Sequence, residues 1–139
     1  MIRLAHIAAA ALAAAVLLAP GAPARAQDEA RPLIIGATRL FTIRSGDTLN
    51  GRTLSVDDRI GHVQDVYAKY LGGQFGRFTW KKWGDRVHHY LNGQFALAVT
   101  PQDAAATGYK NTEQLAAIWL RELQRGFDES HTQSGAARG

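Results

Sequence analysis

The 139-residue sequence has no cysteine. Disulfides are therefore excluded as a source of stability even in an oxidising compartment, and the fold must be held by burial. Lipid attachment at a bacterial signal cleavage point is excluded for the same reason. Beyond residue 18 there is no apolar run of the length needed to cross a bilayer. Excess charge of one sign is also missing: 16 Lys and Arg stand against 12 Asp and Glu, and the longest basic run is Lys81-Lys82. So scattered a charge pattern leaves no footprint for nucleic acid.

The most informative segment present is the N-terminal one. Arg3, an alanine- and leucine-rich run from Leu4 to Leu18, and Ala24-Arg25-Ala26 have the three-part order of a secretory signal peptide. The run is shorter than the about 20 residues that span a bilayer comfortably. Cleavage is expected after Ala26, giving a secreted or periplasmic protein that begins at Gln27, with no membrane span after the cut. Removal of 26 residues leaves 113 of the 139, with 14 basic against 12 acidic side chains. One core is expected at that length. The expected organisation is residues 1–26 signal peptide, 27–32 polar lead-in, 33–127 a single domain, and 128–139 a flexible polar tail.

The pattern within the domain predicts an α+β fold, an antiparallel sheet of about four strands with helices on one face, in the order β-α-β-β-β-α-α. Leu33 to Arg44 reads as the first strand, best at Arg39 to Arg44, and Ser45 to Thr53 as a loop. Ser55 opens a helix with Asp57 and Asp58 in its first turn. Ile60, Val63, Val66, Tyr67 and Tyr70 give that helix one apolar face, and Gly72-Gly73 ends it.

Arg77–Trp83, Arg86–Leu91 and Gln94–Thr100 read as a meander turning at Gly84-Asp85 and Asn92-Gly93. A two-residue turn at Asn92-Gly93 sets Tyr90 opposite Phe95 and splits the apolar residues between faces. A three-residue loop with Gly93 left-handed instead aligns Val87, His89 and Leu91 with Phe95, Leu97 and Val99, and this register is preferred because it gathers one apolar face. Phe78 and Trp80 join that face, and Lys81, Trp83, His88, Tyr90, Ala96 and Ala98 take the other. Thr100-Pro101-Gln102-Asp103 starts a short helix ended by Gly108. Asn111 caps the last helix, whose stripe is Leu115, Ile118, Trp119, Leu123 and Phe127.

Leu40-Phe41-Thr42-Ile43, Asp58-Arg59, the run Leu97-Ala98-Val99-Thr100-Pro101-Gln102-Asp103-Ala104, Gly108, Leu115-Ala116, Trp119 and Leu123 occur in an order with a familiar look. Together they resemble the small periplasmic domain that precedes the membrane helices of some bacterial mechanosensitive-channel-like proteins, notably cyanobacterial ones. The likeness covers about Leu33 to Phe127 and is strongest from Val99 to Ala104. It implies an extracytoplasmic α+β module and carries no catalytic residues. Channel gating is not carried over, because no channel helices follow the resembling segment. The matching positions look structural: Asp103 as a helix-capping carboxylate, Arg59 as a surface or capping partner, and Leu40, Phe41, Val99 and Trp119 as core.

Candidate chemistry is sparse. Neighbouring residues on a strand point to opposite faces, so His88-His89 cannot grip one metal ion, and His62 and His131 lack a second ligand at helical spacing. His89 is expected toward the core as a neutral imidazole. No nucleophile stands beside a base, and Asp57, Asp58 and Asp103 are explained by helix starts. No cofactor, metal or catalytic residue is expected. The face holding Lys81, Trp83, His88 and Tyr90 is the candidate binding site, an aromatic and basic platform for a sugar, a peptide or a partner protein. The leading expectation is a non-enzymatic interaction module whose partner is an envelope or membrane protein. Alternatives are an envelope enzyme acting on a wall sugar or peptide, and a structural domain with no ligand.

Overall fold

A computed structural model describes residues 29–73 and 75–138. The expected signal peptide and its cleavage point lie outside the described residues. Among the described residues, no helix is long and apolar enough to cross a membrane. The architecture is α+β, as the sequence pattern predicts, but the strands form one sheet of three and two hairpins instead of a sheet of about four.

The hairpins correct the reading of the first third of the chain. The segment read as one strand folds back on itself as β1 (Arg31–Ile35) and β2 (Thr38–Ile43), turning at Gly36 with φ of 60°. The segment read as loop holds β3 (Asp47–Leu49) and β4 (Arg52–Leu54), paired from Asp47↔Leu54 to Leu49↔Arg52. Asn50 and Gly51 between them both have positive φ, 53° and 75°. That backbone belongs to a tight hairpin turn whose twist matches its strands, and Asn-Gly tolerates it at low steric cost.

Helix α1 (Val56–Tyr70) begins at a reciprocal cap: Ser55 Oγ accepts from the Asp58 N–H and Asp58 Oδ2 from the Ser55 N–H, both at 3.0 Å. A cap of this kind stabilises a helix by about 1 kcal/mol. Its buried residues are Val56, Arg59, Ile60, Val63, Val66 and Tyr67. Arg59 thus lies on the stripe that packs inward, which excludes the surface position and leaves the other expected role, partner of a helix cap.

The three-stranded sheet has the order β5-β6-β7, with β5 Phe78–Trp83, β6 Arg86–Leu91 and β7 Gln94–Val99. Asn92-Gly93 makes a two-residue turn, with φ of 52° and 83°, and Leu91 faces Gln94 across it. Tyr90 therefore pairs with Phe95, which overturns the preferred register next to the turn. One strand position further on, the extra residue Ala96 bulges out of β7, so that His89 meets Leu97 and Val87 meets Val99. The bulge reconciles the turn chemistry of Asn92-Gly93 with the burial of Val87, His89, Leu97 and Val99 on a single face. Phe95 is left on the opposite face.

Helix α2 (Pro101–Thr107) starts at the Thr100–Asp103 cap and ends at Gly108 with φ of 80°. Helix α3 (Thr112–Arg138) starts where Asn111 Oδ1 accepts from the Gln114 N–H at 2.9 Å. It continues past Phe127, where the sequence reading ends the domain, and the turn that follows Phe127 finds partners elsewhere in the fold. His131 Nε2 meets the Gly73 carbonyl at 2.5 Å, Thr38 Oγ1 donates to Glu129 at 3.2 Å, and Ser130 is buried.

The core lies between α1, α3 and the inner faces of the strands. It contains Leu33, Ile43, Val63, Tyr67, Leu97 and Leu123, among others. Trp119 stacks on Phe41 at 4.3 Å and 8°, which ties α3 to β2, and the Tyr67 hydroxyl donates to the Leu123 carbonyl, which ties α1 to α3. Gly126 permits close approach at this junction: a Cβ there would lie 2.7 Å from Leu40 Cδ2.

Candidate binding face

The two-residue turn at Gly84-Asp85 sets Trp83 opposite Arg86, Lys81 opposite His88 and Thr79 opposite Tyr90. In that register Lys81, Trp83, His88 and Tyr90 share one face, because side chains two apart along a strand point the same way and their cross-strand partners point with them. The four sequence-derived candidates meet. The Trp83 and His88 rings stack at 5.7 Å and 28°, Trp83 Nε1 donates to Tyr90 Oη at 3.2 Å, and Lys81 Nζ sits 5.2 Å from the Trp83 ring centre. Trp83 is 51% exposed, and His88 and Tyr90 are half-buried.

Phe95 completes this face, although the sequence reading placed it on the other one. Its ring meets His88 edge-on at 5.1 Å and Tyr90 edge-on at 6.2 Å, and it reaches His62 of α1 at 5.7 Å. The signal was the Asn92-Gly93 dipeptide, which favours the two-residue turn that puts Phe95 there. Ala96 and Ala98 are buried, although the sequence reading set them on the open face. Trp80 has the reverse fate. It lies on the side of Phe78 and His89, yet it is 45% exposed, because β5 is the outer strand.

Beside the aromatic face, Arg86 binds both carboxylate oxygens of Asp47, at 2.9 and 2.5 Å, and donates to the Thr48 carbonyl at 2.9 Å. This fork-to-fork pair fastens the β3–β4 hairpin to the start of β6. His88 is held below the ordinary imidazole pKa, first by burial and then by the Arg86 charge, with Asp47 opposing. A neutral imidazole stacks on indole without a desolvated charge, so the environment favours the stacked arrangement. His88 Nε2 is enclosed and has no hydrogen-bond partner.

On the far side of Phe95 a groove of about 630 Å³ runs between α1, β7 and the β3–β4 hairpin. Its titratable lining includes Asp57, Asp58, His62 and Asp65. Three of these have structural partners: Asp57 binds Arg31 at 3.0 Å, Asp58 caps α1, and His62 Nε2 meets the Phe95 carbonyl at 3.0 Å. Arg59, at the groove's inner end, is engaged more deeply. Its two terminal nitrogens bind the two oxygens of Asp103 at 2.9 and 2.8 Å and donate to the Ser45 and Ala98 carbonyls at 2.5 and 2.6 Å. Both residues are buried. Asp103 is a cap, as expected, and also the counter-ion of Arg59. The pairing was legible in part, since Arg59 falls between Val56, Ile60 and Val63 on the apolar stripe of α1.

The two adjacent histidines separate as strand geometry requires, His88 on the aromatic face and His89 in the core. Comparison with family models, curated proteins and solved structures gives no match for this chain. The functional reading therefore rests on the face itself, which offers planar aromatic surface, an ammonium group and few fixed polar contacts.

Proposed function

We propose that the protein is a non-enzymatic interaction module of the cell envelope, secreted or periplasmic, that holds its ligand on the Lys81–Trp83–His88–Tyr90 face with Phe95 as its floor. The observation that carries this reading is the half-exposed Trp83, fixed in place by His88, Tyr90 and Lys81 instead of being packed into the core. A rigid aromatic surface binds at a low cost in conformational entropy, and exposed cation–π contacts add about 0.5–1 kcal/mol each. The signal-like N-terminus and the resemblance to an extracytoplasmic channel-associated domain support the location. The partner in this reading is an envelope or membrane protein.

Retention of the purified domain on immobilised envelope fractions tests the proposal. Trp83→Ala and Tyr90→Ala are each expected to weaken retention by about 1–3 kcal/mol while leaving thermal unfolding nearly unchanged. Equal retention of both variants would contradict it, and so would loss of folding, which would make the residues core.

One observation favours a second reading. The groove beside Phe95 is concave and of ligand size, and it carries Asp65 and His62, as an envelope enzyme acting on a wall sugar or peptide would require. Turnover of such a substrate that is lost in Asp65→Asn and kept in Trp83→Ala would establish that reading over the first.

A further inference from the structure

We propose that β5 is a docking edge for an extended, carboxylate-bearing segment of a partner protein, which joins the sheet as an added strand. The proposal rests on the interaction-module reading and names the kind of partner that face would take.

The two edges of the three-stranded sheet are treated differently. At β7 the last four residues are buried, and α1 takes two of the strand's carbonyls, Phe95 through His62 and Ala98 through Arg59. At β5 every residue from Thr79 to Trp83 is exposed. The two-residue turn makes Trp83↔Arg86 a hydrogen-bonded pair, so bonding to β6 alternates from there along β5. Two contacts fix the alternation: the Arg77 carbonyl accepts from Asn92 N–H at 3.1 Å, facing inward, and Phe78 N–H donates to Gln124 Oε1 at 2.9 Å, facing outward. The backbone N–H and C=O groups of Trp80 and Lys82 therefore point away from β6. Among the described residues none hydrogen-bonds to them as Gln124 does to Phe78. An open strand edge of this length is a template for another strand.

The side chains indicate what that strand carries. Trp80 and Trp83 stand on opposite faces of β5, so an added strand would meet an indole on each side. Lys81 lies on the Trp83 face, and Lys82 on the Trp80 face, where it meets Glu113 at 2.6 Å. Among the described residues no carboxylate lies within 4.0 Å of the Lys81 amine. Arg77 at the strand's start lies on the same face as Lys81, so the uncompensated charge of the edge is basic on its Trp83 face, while Lys82 is already met by Glu113. It repels a basic or identical strand and complements one bearing a carboxylate beside Lys81.

The test is fluorescence anisotropy with a labelled synthetic peptide in which two adjacent glutamates are flanked by valine and threonine. The wild-type domain is expected to bind it, more weakly as salt rises. Lys82→Pro removes an outward N–H and no ladder bond, which an edge strand tolerates, and it should weaken binding about tenfold or more. Lys82→Thr, which likewise gives up the charge and its pair with Glu113 but keeps the outward N–H, should fall between the two. The same peptide N-methylated at alternate residues, or with lysines replacing its glutamates, should not bind. Absence of binding by wild type at about 1 mM peptide, or equal binding by Lys82→Pro or by the N-methylated peptide, would overturn the proposal. A dimer that Lys82→Pro dissociates would overturn it too, since a second copy would then occupy the edge. Failure here, with Trp83→Ala still reducing envelope retention, removes the docking edge and leaves the aromatic face standing.

Discussion

His88 and His89 are neighbours in sequence and differ in everything strand geometry controls. His89 is fully buried, with Nε2 at 2.9 Å from the Ala116 carbonyl and no partner for Nδ1. That contact assigns the proton to Nε2 and leaves the ring neutral. Burial lowers its pKa from 6.5 to about 4, and the bond to Ala116 opposes the shift. Between those two values the unfolded chain binds a proton that the folded one refuses, so stability falls as pH drops from about 6.5 to about 4, by roughly 3 kcal/mol, and levels off below. Above about 6.5 the full contribution is present. His88, lowered in the same direction, adds to the slope. Denaturant unfolding of wild type and His89→Gln across this range checks the account: the variant should show a distinctly flatter dependence, and an unchanged slope would place the proton elsewhere.

At the scale of elements, the Arg59–Asp103 pair joins α1, α2, β7 and the loop before β3. Asp103 also accepts from Ser45 Oγ at 3.0 Å and from the Thr100 N–H and Oγ1 at 3.0 and 3.1 Å. All of its lone pairs are used, which is what a buried carboxylate needs. Removing one partner strands the other charge, so Arg59→Met is expected to cost about 3–5 kcal/mol. Adding Asp103→Asn to it should restore part of the loss, giving a double variant much better than additive. Denaturant unfolding of the two singles and the double measures this, and simple additivity would mean the groups act separately.

The elements also show where sequence legibility ends. Caps at Ser55, Thr100 and Asn111 are local in the chain, within three residues of their targets, and could be read directly. Asn50-Gly51 carries the same turn chemistry as Asn92-Gly93, but its strands are three residues each, too short to show alternation. The first strand hid its turn because Gly36 sits inside a run of β-prone residues. The last turns of α3 are polar in sequence, and the contacts that hold the turn after Phe127 reach residues far away in the chain: His131 meets the Gly73 carbonyl, Thr38 donates to Glu129, and Ser130 is buried.

For the whole molecule, the three-stranded sheet presents two kinds of surface. Its inner face carries the core, and its outer face carries Lys81, Trp83, His88 and Tyr90, whose association followed from the turn at Gly84-Asp85 alone. That much was legible, since a two-residue hairpin fixes its own register. Phe95 follows from the two-residue turn at Asn92-Gly93, but that turn alone splits the apolar residues between faces, and the bulge at Ala96 that returns Leu97 and Val99 to the core leaves no mark in the sequence. The groove escaped the sequence altogether, being built from α1, β7 and a hairpin far apart in the chain. The face and the groove meet at Phe95 and His62, so the central claim concerns which of them is used. Residue-resolved NMR of the labelled domain, titrated with a solubilised envelope fraction that retains it, decides this most directly. The account predicts shifts at the Trp83 indole N–H and at the Lys81, His88 and Tyr90 amides, with Asn50, Arg52 and Asp65 unmoved. Shifts confined to Asn50, Arg52 and Asp65 would contradict it and assign the ligand to the groove.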